Sequence, residues 1–179
     1  PSMGSVGTSA GLPDAIEDNV LAVIGEGMSA VNSDEGWTGS LMNFEALHGY
    51  WIITDEEISF SYDLDSLEPL SRKVNPYLTS EIPHGFDYIQ STQQAFYFIE
   101  DANIDGFDLL EDDWLIAYHN HTVIGARQWN GQFTDVPAMG VDGFDDTFSY
   151  IELGVVPKFK LFRESTGELI DMMGENVAP

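Results

Sequence analysis

The sequence predicts a mainly β protein: two small antiparallel β domains of sandwich-like form, with one short helix near the N-terminus. Three observations carry that expectation. Short apolar runs follow one another at close spacing, separated by Gly, Pro, Asn and Asp, which is the pattern of sandwiches and small barrels. In the run Trp114–Tyr118, Trp114, Ile116 and Tyr118 fall on one side and Leu115, Ala117 and His119 on the other, a period of two. A stretch rich in proline, with Pro69, Pro76 and Pro83, loses all periodicity and divides the chain. The expected domains are 1–65 and 84–179, with 66–83 as linker.

Taken in order, residues Pro1–Gly11 are small and glycine-rich and read as an arm or loop. Leu12–Asp18 reads as a short helix. Pro13 lies near its first turn, acidic residues follow at the positive end of the dipole, and Leu12, Ile16 and Val20 share a face. Strands are expected at Val20–Ile24, Trp37–Leu41 and Tyr50–Thr54. Another is expected where Ile58, Phe60 and Tyr62 alternate with serines. In the second half, Phe86–Ile89 precedes three runs, Ala95–Ile99, Trp114–Tyr118 and Val123–Trp129, read together as a three-stranded antiparallel unit. His119-Asn120-His121-Thr122 is short enough for a hairpin turn. A glycine-rich acidic loop at Gly140–Thr147 follows, then strands at Lys158–Phe162 and Leu169–Met172.

Composition bounds the function. Thirty-one acidic residues stand against six basic ones, a net charge of -25 across 179 residues. Such a surface repels nucleic acid and anionic membranes. The 43% hydrophobic content supplies a core. The absence of cysteine excludes disulfides, thiol nucleophiles and thiolate metal sites. No apolar run approaches the ~20 residues that span a bilayer. The chain begins at Pro1 with no initiator methionine or signal-like run, which reads as a processed product or part of something longer.

Two acidic segments are candidate calcium sites. Asp101, Asn103, Asp105 and Asp112, with Gly106 between, nearly match a calcium-loop spacing in which alternate oxygen ligands converge on the ion. The twelfth position is aspartate and the flanks read as strands, so an acidic hairpin loop is the simpler reading. Asp142, Asp145 and Asp146 crowd around Gly143, where a hard cation would relieve their repulsion, although a solvated acidic loop is again the simpler reading. Asn120-His121-Thr122 is an N-glycosylation acceptor pattern. His119 and His121 are too few for zinc. No nucleophile elbow is present, and in so acidic a chain no carboxylate pair stands out, so no enzyme is expected. Trp37, Trp51, Trp114 and Trp129 are offered to the core first and to sugar stacking second.

The runs VIGEGMSA, GWTGSL and GYWIITDEEISFSYDL in the first half resemble a module of large secreted bacterial proteins. The runs STQQAFYFIEDANIDG, DDWLIAYHNHTVIGARQW, TDVPAMGVDG and VPKFKLFRESTGELIDM resemble the module that follows it there. Many such proteins end in a sorting domain for type IX secretion. The resemblance implies an extracellular or cell-surface, β-rich, multidomain setting and transfers no functional residue. The expectation is a structural protein of a surface fibre, filament or layer that pairs strands with copies of itself. The alternative is an accessory module of a secreted enzyme, binding carbohydrate or another extracellular polymer.

Overall fold

The structure, a computed structural model, describes residues 5–7, 11–34, 36–45, 48–60 and 81–174. The chain is mainly β and falls into two compact units, Pro1–Thr79 and Ser80–Pro179. Among the described residues no helix is long and apolar enough to cross a membrane. The expected linker lies outside the described residues up to residue 80; beyond it, Ile82 packs into the second unit.

In the first unit, strand β1 (Ser5–Gly7) pairs antiparallel with β5 (Asn43–Glu45), so part of the expected arm is a strand. Three residues are too few to show a period of two, which is why the sequence reads as loop. Helix α1 is a single turn, Asp14–Glu17, with Pro13 at its N-cap and Asp14 and Glu17 in its first turn. A four-stranded antiparallel sheet runs β4 (Gly36–Thr38), β3 (Met28–Ser33), β2 (Val20–Gly25), β6 (Trp51–Thr54). Leu12, Ile16, Val20, Val23, Ala30, Leu41 and Phe44 form its core. Glu17 ties the helix to the sheet, its carboxylate accepting the Trp37 indole N–H at 2.8 Å and its carbonyl accepting Asn32 Nδ2. Strand β4 stops short of the expected Leu41 because Gly39 (φ 128) passes against β3; a Cβ there would lie 2.3 Å from the Ser29 carbonyl oxygen. The expected strand at 58–62 is not formed over residues 58–60. Ile58 packs on the core, Phe60 is exposed, and Tyr62 lies outside the described residues. Alternation alone makes no strand; a ladder is also needed, and among the described residues no strand pairs with 58–60.

In the second unit, β10 (Trp114–His119) is central, with β11 (Thr122–Gln128) on one edge and β13 (Lys158–Arg163) on the other; β14 (Glu168–Asp171) extends the sheet beyond β13. Strand β7 (Gln94–Ile99) does not join this sheet, contrary to the three-stranded unit expected. It pairs with β12 (Thr134–Met139) in a separate two-stranded ladder. The two sheets enclose Leu115, Ala117, Ile124, Val136, Ala138, Met139 and Leu161. Gly125 of β11 makes their closest approach possible, since any Cβ there would collide with the Pro137 carbonyl oxygen. Residues 86–89 form no strand, yet Phe86 and Tyr88, with Ile82, cover Trp114 and Ile116 on the opposite face of the sheet. A two-stranded hairpin, β8 (Asn103–Ile104) and β9 (Phe107–Asp108), precedes β10.

Candidate functional site

The first calcium candidate is a tight hairpin turn. Ile104 pairs with Phe107, leaving Asp105 and Gly106 between them with φ 52 and 83, the double positive φ of a type I′ turn. The Asn103 side-chain oxygen accepts the Gly106 N–H at 3.2 Å, so it braces the turn. Asp101, Asp105 and Asp112 are all exposed.

In the second candidate, Asp142 is a strut. One carboxylate oxygen accepts the Thr147 hydroxyl at 2.6 Å and the Phe144 N–H at 3.2 Å; the other accepts the Thr92 N–H at 3.0 Å. These bonds, the Thr147 hydroxyl first and the Thr92 amide next, hold its pKa down at about 2. Asp145 and Asp146 lie exposed in the single 3-10 turn Asp145–Thr147. Among the described residues, no three His, Asp or Glu side chains gather as a metal ion requires.

Beside that loop opens a cleft of about 440 Å³. One wall is the β10–β11 turn, with His119, Asn120 and Thr122; the other is the loop that follows β12, with Phe148, Ser149, Glu152 and Val155. The turn is closed by Asn120 at φ 54, a conformation asparagine tolerates better than most residues. Tyr150 is buried at the base, and its hydroxyl accepts the Ile89 N–H at 2.7 Å. Phe148 is 85% exposed although it lines the cleft. The acceptor asparagine of the glycosylation pattern is thus on the rim, exposed. His119 is half-buried in the wall, and His121 is exposed in the turn and does not line the cleft.

Sequence reasoning passed over the buried ions. Asp135 is fully buried and Arg127 nearly so; their Nε–Oδ1 distance is 3.7 Å, and Arg127 Nε also donates to the Asp135 carbonyl at 2.9 Å. Burial pushes the nearby Tyr88 phenol up, with the Arg127 guanidinium opposing. Asp113, also fully buried, accepts the Leu110 N–H at 2.9 Å and sits 3.7 Å from Arg163 Nε. One of the six basic residues, Arg127, is therefore buried and a second, Arg163, is half-buried, in a chain with a large acidic excess. The available signal was an arginine inside the apolar run VIGARQW. The cleft residues Phe148, Glu152 and Val155 were missed too, because a loop has no period to read.

Compared with protein-family models, with curated proteins and with solved structures, the chain matches none.

Proposed function

We propose that the chain is a structural subunit of an extracellular fibre or surface layer, assembling by strand pairing between copies. The observation that supports this best is the outer edge of β7. No strand pairs with it among the described residues, and its sequence, QAFYFI, carries neither charge nor proline. Sheet proteins usually blunt such an edge with lysine, proline or a bulge. Here an edge whose Phe96–Phe98 stretch carries no charge, proline or bulge stands on a surface that otherwise resists association through its charge.

The ladder indicates which backbone groups a neighbour would meet. Pro137 pairs with Phe96, and proline lacks an N–H, so it fits this ladder without loss only where its nitrogen faces away from β7. Antiparallel pairs alternate, so the N–H and C=O of Phe96 and Phe98 are then directed outward. A second copy adding a strand there would satisfy them. Surface repulsion is screened beyond ~8 Å at physiological salt, while backbone bonds act at contact. The β1–β5 pairing offers a second route, since the same short strand exchanged between copies makes a swapped contact. The extracellular setting rests on the sequence resemblance.

Light scattering of the intact chain at high concentration tests the reading. Assembly is expected, and Phe98→Pro, which removes an outward N–H, should return it to monomer with its fold retained by circular dichroism. An intact chain that is monomeric throughout would overturn the proposal. Assembly untouched by Phe98→Pro but lost on deleting residues 1–11 would move the contact from β7 to the N-terminal strand.

A further inference from the structure

We propose that the cleft between the β10–β11 turn and the loop carrying Phe148 binds an uncharged saccharide chain. This does not rest on the assembly reading, because the cleft and the β7 edge are built from different residues.

The argument begins with Phe148. Trp114, Trp129 and Tyr150 are buried, while Phe107, Phe133, Phe144 and Phe148 are exposed; of these four, Phe148 is the ring that lines the cleft. Phe148, a few residues from Tyr150, remains 85% exposed on the cleft wall, with Val155 beside it. Leaving that apolar area wet is unfavourable, and an apolar ligand face laid on the ring would remove it from water. The segment bearing Phe148 is held in place. The Asp142 carboxylate grips Thr147 and Thr92, and the Tyr150 hydroxyl accepts the Ile89 amide, so both residues flanking Phe148 and Ser149 are anchored. A ligand therefore meets a preformed wall and loses little affinity to loop ordering.

The polar groups define the rest of the ligand. His119, Asn120, Ser149 and Glu152 supply donors and acceptors within one concave surface of about 440 Å³, a usual size for a small-ligand site. They interrupt its apolar area, so an amphipathic helix, which needs a continuous apolar groove, fits poorly. Glu152 in the wall, with Asp145 and Asp146 exposed on the same loop, disfavours any polyanion. A ligand with an apolar face, many hydroxyls and no negative charge meets all three conditions, and a neutral sugar chain is that chemistry.

The test uses the full chain, made in a host that does not N-glycosylate so that Asn120 stays bare, on a printed array of neutral and anionic glycans. Binding to at least one neutral glycan is expected, and titration calorimetry with that glycan gives the affinity. Phe148→Ala should weaken it by about tenfold or more, the loss of one buried aromatic face, with no change in melting temperature because the ring is exposed. Ser149→Tyr, which fills the cleft from its exposed rim, should abolish binding. The proposal is overturned if no neutral glycan binds, if anionic glycans bind instead, or if neither substitution alters the affinity.

Discussion

Strands β10 and β7 belong to the same unit, each has six residues, and their sequences, WLIAYH and QAFYFI, are about equally apolar. Their surroundings differ. Strand β10 has a partner on each edge and cover on both faces, Leu115 and Ala117 on one side and Trp114 and Ile116 on the other. Strand β7 pairs with one strand among the described residues, is half-buried along most of its length and exposes Ala95. Hydrophobicity thus does not decide which strand is central. What decides it is the covering provided from far away in sequence: β12 and the core beneath β10, and the irregular 82–88 segment above it.

Truncation should show that contrast most strongly. Trp114 is 4% exposed and packs with Ile116, Ala126 and Phe162. Trp114→Ala should cost about 3–5 kcal/mol, since the cavity cannot collapse between two strand partners. Phe96→Ala on β7 should cost roughly half as much, because a half-buried ring has less apolar area to return to water. Chemical denaturation of the two variants measures both. Equal losses would mean that β7 is as enclosed as β10, and the edge would then be no template for a neighbour.

A smaller effect separates the ladders by their ions. Strand β12 presents Asp135 to Arg127 of β11, and this pair holds the two sheets in register where Gly125 lets them touch. Asp135→Asn leaves a buried guanidinium without its counter-charge. The loss should be about 3 kcal/mol, at the low end for a broken buried pair because the amide keeps the shape and the backbone carbonyl still accepts from Nε. Adding Arg127→Met should recover part of it, since an apolar replacement leaves no orphaned charge. A double variant no more stable than Asp135→Asn alone would show that the arginine is held mainly by its carbonyl contact.

These residues also explain what the sequence made legible. The alternation in β10, the turn after it, the strands from Lys158 and Glu168, and the apolar side of the first helix were readable because each is a local pattern. Strand β12 was not, because TDVPAM carries an aspartate and a proline where a buried strand should read apolar. Both are tolerated only through partners on other strands: Arg127 answers the charge, and the ladder geometry spares the missing N–H. The pairing of β7 with β12 rather than β10 followed from that hidden strand. Of the candidate site, Asn120 and the acidic loop were visible as motifs, whereas the cleft exists only once the β10–β11 turn and the Phe148 segment are brought together.

The smallest expected effect concerns the two acidic loops, which look alike in sequence and differ in what their side chains hold. In the hairpin turn the brace is the neutral Asn103, so its stability should not follow carboxylate protonation. In the loop after β12 the brace is Asp142, whose folded pKa of about 2 lies below the ordinary 3.8. The sign follows from linkage: a lowered folded pKa contributes stability that is fully present above the unfolded value and is lost as pH falls through the folded one. Asp142→Asn should therefore melt below the native chain at pH 5, and the gap should close between about pH 4 and pH 2. Its size should be modest, because the carboxylate is open to solvent and its interactions are screened. The same residue decides the calcium question. A cation can take Asp142 only by displacing the Thr147 and Thr92 donors, so melts in millimolar calcium and in chelator, at matched ionic strength, compare the two uses of one carboxylate. Coincident midpoints, together with a pH-dependent gap for Asp142→Asn, support the strut. A calcium-dependent rise that Asp142→Asn removes would instead make this loop a metal site and the hairpin its metal-free counterpart.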